Sequence, residues 1–203
     1  MIERIGVVCQ DRNSFGFLEG LKRRLNCTAE LIEPSTGALG KSTNMTRRQA
    51  RIAARTFQEK GVDLVVRFTD SDANRWQDVR RSEVEVFPAT VREILVCGVA
   101  VDNVEQWLAL DRPYIANELK IPNVAQLAGP DLTGAIKTAI ARQRSPDEPV
   151  SEVTARLVAN APPDVFREWL RADESLRHFY QECRAAAPQR KCDVPNELDQ
   201  ASQ

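Results

Sequence analysis

Short apolar runs and amphipathic helix patterns alternate along the first two-thirds of the chain, and that alternation restricts the fold more than any other feature. Ile5 to Cys9 (IGVVC) is a brief apolar run, and Phe15, Leu18, Leu21 and Leu25 follow at helical spacing. Cys27 to Ile32 alternates weakly and predicts a second strand. A turn-rich stretch from Glu33 to Ser42 leads to Thr46, an N-cap for a helix from Arg47 to Lys60 that Gly61 stops. Val62 to Thr69 (VDLVVRFT) reads as a buried strand, and Ile94 to Val101 (ILVCGVAV) is the most apolar strand of all. Trp76 to Val91 is ambiguous, with Pro88 ending or kinking whatever helix precedes it. Strands separated by helices of this length predict an α/β fold, a mainly parallel sheet with helices on both faces.

The last third reads as short helices punctuated by Pro113, Pro122, Pro130, Pro146 and Pro162-Pro163. Val153/Leu157, Phe166/Trp169/Leu170 and Leu176/Phe179/Tyr180 form its packing faces. The expected division is an α/β domain over 1–122, a helical segment over 123–187 and a polar tail over 188–203. At 42% hydrophobic and 28% charged residues, the chain has the make-up of an ordinary globular protein. No apolar run approaches the roughly 20 residues that span a bilayer, so no membrane is expected. The start reads directly into a strand without a signal peptide. Five cysteines without a CxxC pair predict reduced thiols in a cytoplasm.

One histidine, His178, is all the sequence offers. It lies in a helical context with no Cys or second His nearby, which argues against zinc sites and nucleophile–His–acid triads. It reads as a partly buried helix residue. Any chemistry must then rest on carboxylates and a metal. In parallel sheets ligands gather at the carboxyl ends of the strands. Those ends carry Gln10-Asp11, Asp70-Ser71-Asp72 and Asp102 to Glu105. Asp70 and Asp72, two apart at a strand end, are expected to point to one side and to need a hard cation such as Mg2+ or Mn2+ between them. A solvated loop capped by Asp72 is the plainer alternative. Asp102 and Glu105 have capping-box spacing, so Glu105 has a structural explanation as well.

A helix starting at Arg47 places Arg47, Arg48, Arg51 and Arg55 on one face and Ala50, Ala53, Ala54 and Phe57 on the other. The first 70 residues hold 12 Lys and Arg against 8 Asp and Glu, although the whole chain has a net charge of −1. A localised basic surface in a neutral protein suits phosphate-backbone contact, against the commoner alternative of a solvated helix face. Gly37 to Thr43 tempts comparison with a phosphate-binding P-loop, but the glycine required five positions before Gly40 is Ser35. Lys41 is retained only as an anion contact.

Taken in order, the strand with an acidic turn, the glycine/lysine loop with its basic helix, Phe68-Thr69-Asp70-Ser71-Asp72, and Val99 to Asp111 (VAVDNVEQWLALD) resemble a known arrangement. It is similar to the small prokaryotic Toprim-like proteins, relatives of the nuclease domain of the overcoming-lysogenization-defect family, over about residues 4–120. The resemblance implies a Toprim/Rossmann-like sheet and Mg2+-dependent phosphodiester cleavage. Asp70 and Asp72 match the family's metal-binding DxD, and Glu105 matches the acid of its later motif. The departure is Gln10, which stands where the family carries glutamate; an amide brings neither charge nor a general base. Asp11 is the substitute if the turn is re-aimed. The catalytic set expected is therefore Asp70, Asp72, Glu105 and Asp11, with Lys41, Arg47, Arg48 and Arg51 on phosphate. The partners implied are nucleic acid and an ATPase subunit, as in antiviral defence modules, and a homo-oligomer is compatible. The alternative is a degenerate subunit that only binds nucleic acid or the ATPase.

Overall fold

The computed structural model describes residues 2–34 and 45–186. Four strands form one sheet: β1 (Arg4–Cys9), β2 (Glu30–Ile32), β3 (Leu64–Asp70) and β4 (Leu95–Ala100). Every pairing is parallel and the order is β2-β1-β3-β4. Ten α-helices are present among the described residues, so the fold is the expected α/β, Rossmann-like arrangement with C-terminal helices. The second strand is shorter than the weak alternation from Cys27 suggested. No helix among the described residues is long and apolar enough to cross a membrane.

The pleat sorts the strand side chains into two cores. Ile5, Val7, Val66, Phe68 and Val96 face one side, where α1 (Arg12–Arg24) supplies Phe17, Leu18 and Leu21. Val8 and Val65 face the other, against Ala50, Ala53 and Phe57 of α2 (Arg47–Glu59). Thr46 and Gln49 make a reciprocal capping box at the start of α2, as the Thr46 reading anticipated. The ambiguous stretch resolves into α3 (Trp76–Glu85) and a single turn, α4 (Ala89–Arg92), with Pro88 at the cap between them.

After β4 the chain forms α5 (Val104–Leu108), α6 (Arg112–Leu119), α7 (Gly129–Gln143), α8 (Glu152–Asn160), α9 (Pro163–Ala172) and α10 (Glu174–Ala186). Residues of α7 to α10 share one continuous core with β1, β3 and β4. Gly16 and Gly20, four apart on α1, let the backbone of the α8 segment approach closely. A Cβ at Gly16 would lie 2.3 Å from the Ser151 carbonyl oxygen, and one at Gly20 2.5 Å from that of Ala155. Backbone cannot swing aside as a side chain can. Gly20→Ala is therefore expected to lower stability by about 1–3 kcal/mol or more, read as a drop in the denaturation midpoint. An unchanged midpoint would mean that α8 can shift off α1 freely.

β4 is an edge strand, and α3 and α10 close around it. Arg80 on α3 pairs with Glu182 on α10, and the Trp76 ring meets the His178 ring at 5.5 Å. Inside the sheet a second ion pair is fully enclosed. Arg67 Nε donates to Glu83 Oε2 at 2.7 Å, and the two residues are 1% and 3% exposed. Glu83 Oε1 also accepts from the Met45 amide, at 3.2 Å. One carboxylate thus fastens α3, β3 and the lead-in to α2.

Candidate active site at the carboxyl rim of the sheet

The strand order places β1 and β3 side by side while the chain leaves β1 toward β2 and returns to β3. This is the topological switch point, where open parallel sheets bind ligands. The rim there is formed by Gln10 and Asp11 after β1 and by Asp70 at the end of β3. Below it lies an aromatic floor. Phe68 is 5.3 Å from both Trp107 and Phe179, ring to ring, and Phe17 is 5.8 Å from Phe68. Carboxyl groups buried at the rim lose hydration, which disfavours their charged form.

Asp70 and Glu105 are the two that suffer most. Burial first, then the nearby charges of Asp11, Glu105 and Asp72, lift the Asp70 carboxyl from 3.8 to about 7, with Lys137 opposing. Glu105 is 1% exposed, and its carboxyl is raised by burial, against the hydrogen bond from Asn13 and the charge of Lys137. Asn13 Nδ2 donates to Glu105 Oε1 at 2.8 Å, and Lys137 Nζ lies 3.7 Å from the same oxygen. Asp70 Oδ1 and Glu105 Oε2 are buried and have no hydrogen-bond partner.

The loops that hold these acids are tightly bent. Asp72, Ala73 and Asp102 take left-handed conformations, at φ of +47°, +64° and +57°. Such residues are uncommon outside glycine and cluster at functional sites. Ser71 ties the two loops together: its amide donates to the Ala100 carbonyl, and its Oγ accepts from the Asp102 amide at 2.9 Å. Asn74 Nδ2 closes the first loop by donating to the carbonyls of Ser71 and Asp72.

Several expected roles change on this geometry. β3 ends at Asp70, so the two-apart rule for strands does not extend to Asp72, which is exposed and reaches Asp70 only as a neighbouring charge. The cap of α5 is Asn103, whose Oδ1 accepts from Gln106, and not Asp102 paired with Glu105. Glu105 is thereby released from the capping role and faces Asn13 and Lys137. Asp11 is the N-cap of α1, its Oδ1 accepting from the Ser14 amide at 2.7 Å. Gln10 Oε1 accepts from Thr69 Oγ1 and from the Asp70 amide, both at 2.8 Å, and so clips β1 to β3.

The basic residues divide. Arg47, Arg48 and Arg51 are exposed on α2, on the opposite face of the sheet from α1. Lys41 and the glycine loop around it lie outside the described residues, as does the polar tail. Lys137 and Asn13 were not visible as site residues in the sequence. Lys137 arrives from α7, far along the chain and outside any motif, whereas Asn13 lies on α1 only two residues after Asp11, and its contact with Glu105 is what the sequence did not show.

The donor set is right in kind for a hard divalent cation: carboxylate oxygens, two of them without partners. Among the described residues, however, no three Asp, Glu, His or Cys side chains are gathered into a metal-binding group. Asp70 and Glu105 stand as mutually repelling acids that Lys137 partly balances. No known family model matches the chain, and no curated protein or solved structure does either.

Proposed function

We propose that the protein is a Toprim-like phosphodiester-cleaving enzyme dependent on Mg2+ or Mn2+, working at the rim formed by Asp70, Glu105, Asp11 and Asp72. The observation that carries this reading is the pair of buried carboxylate oxygens without partners, Asp70 Oδ1 and Glu105 Oε2, at the switch point of a parallel sheet. Burying such groups unpaired is costly unless a counter-charge joins them. When bound there, the ion would neutralise phosphate charge and lower the pKa of a water, so no histidine is needed.

The chain's own residues do the rest. Asp70 and Glu105 would hold the cation, and Asp72, exposed at the mouth, would add negative charge. Asn13 orients Glu105 through its amide. Lys137, half exposed beside Glu105, is placed to contact a phosphate oxygen. Arg47, Arg48 and Arg51 offer a nucleic-acid backbone contact from the far side of the sheet.

The test is cleavage of plasmid and single-stranded substrates in Mg2+, Mn2+ and EDTA. Wild-type protein is expected to cut with either metal and not in EDTA, and Asp70→Ala is expected to lose at least about a hundredfold in rate, the scale on which removal of an essential charged group acts. Equal cleavage by both proteins under all conditions would reject the site. A second reading draws on Gln10, whose side-chain oxygen is engaged with β3 where the family's glutamate would be free. In that reading the chain binds nucleic acid without cutting it, and the same assay shows binding without cleavage.

A further inference from the structure

Beside the acidic rim a groove of about 400 Å3 opens between α3 and α10. Its lining includes Trp76, Gln77, Arg80, Arg81 and His178, with Glu85 as the acidic member. Trp76 begins α3, so the groove adjoins the loop of Asp70 and Asp72. The other two tryptophans, Trp107 and Trp169, are fully buried, whereas Trp76 is partly open to solvent.

The aromatic and cationic groups are held in place. The Trp76 and His178 rings meet at 5.5 Å and 53°, and Glu182 pairs with Arg80 and lies 3.8 Å from His178. Arg80 nevertheless keeps a buried Nε hydrogen without an acceptor. Arg75 and Arg81 share the single carboxylate of Asp78, at 4.0 and 3.5 Å, and their side chains are 79% and 69% exposed. Both contacts are loose and exposed, and such surface pairs yield readily to phosphate.

We propose that this groove is a subsite for single-stranded nucleic acid, in which one unstacked base lies on Trp76 and the adjoining phosphate sits on Arg81 of the groove and on Arg75, the exposed residue that precedes Trp76. Stacking on an aromatic ring beside cationic side chains is the common physics of single-strand binding, and it tolerates any base. The subsite gives a strand a path to the acidic rim and so rests on the proposed cleavage for its purpose, though binding itself needs neither metal nor cleavage.

The experiment therefore uses full-length Asp70→Asn protein in EDTA. A fluorescently labelled short thymidylate oligonucleotide is titrated by anisotropy, with tryptophan emission followed in parallel and the share of Trp76 taken as the difference from the Trp76→Leu protein. The expected result is quenching of the indole and binding that weakens with salt. Trp76→Leu is expected to weaken binding about tenfold or more, the scale of losing one base stack, while Trp76→Phe keeps most of it. Arg75→Ala/Arg81→Ala should both weaken binding and flatten its salt dependence. Equal affinity in all four proteins, each checked for folding by circular dichroism, would overturn the subsite. Competition separates the ligand sources. Thymidine monophosphate or inorganic phosphate displacing the oligonucleotide at lower concentration than unlabelled strand would overturn the strand assignment in favour of a free anion. Binding as described with no cleavage by the wild type would sink the nuclease reading and leave this one standing.

Discussion

Replacing Arg67 with methionine is expected to destabilise the protein by about 3–5 kcal/mol, the range found when one partner of a buried ion pair is removed. For a chain of this size that corresponds to a fall in Tm of roughly 10 °C. Arg67 sits in the middle of β3 with its Nε on Glu83, and its Nη1 donates to the carbonyls of Val8 and Phe68. The change would strand the Glu83 carboxylate in an enclosed space, where the charged form has no compensation. Both carbonyls would lose a donor as well. Arg67→Met/Glu83→Gln should recover part of the loss, because the amide oxygen still accepts from Met45 and no buried charge is left. Denaturant titration of the two single variants and the double variant gives the coupling directly. A single-variant cost below about 1 kcal/mol, the level of an exposed pair, would show that water reaches Glu83.

The second large effect concerns Asp70 and pH. Its carboxyl titrates near 7 in the folded protein against 3.8 for the free group. An acid whose pKa rises on folding holds its proton more tightly in the folded state. The stability it contributes is complete below pH 3.8 and is lost as pH climbs through 7. Asp70→Asn removes that dependence. In EDTA the variant is expected to outlast the wild type at pH 8 by as much as a few kcal/mol, and to show little advantage at pH 4. Adding Mg2+ at pH 8 should raise the Tm of the wild type and leave the variant where it was, since only a ligand of the folded state shifts it. Two stability curves running parallel from pH 4 to 8 would mean that Asp70 is well hydrated. The site would then lose its basis.

The sheet was readable because β1, β3 and β4 are covered on both faces and therefore spell nearly continuous apolar runs. The capping box at Thr46 was local and equally legible. What the sequence hid was long-range. Arg67 looks like an interruption in an apolar strand, and its partner Glu83 falls in the stretch that fitted no element. The α5 cap shifted by one residue because Asp102 adopts a left-handed turn, which a spacing rule cannot foresee. Asp70, Asp72, Glu105 and Asp11 could be named in advance as rim acids from their places after the strands. Their unequal environments could not: the burial that desolvates Asp70 and Glu105 is set by packing between segments distant in the chain. Asn13 and Lys137 belong to the same class of contact.

The close seam between α1 and α8, together with Phe179 lying over Gly98 of β4, bears on how the protein is born. During synthesis the four strands leave the ribosome long before the helices that cover one of their two faces. Until α8 and α10 emerge, the nascent sheet leaves Val7, Val66, Phe68 and Val96 only partly covered, by α1 and by the helices that follow β4, Trp107 of α5 among them. Completion of the fold therefore waits on the last helices to be translated, and stalling late in the message would release a sticky half-clad intermediate that chaperones must hold.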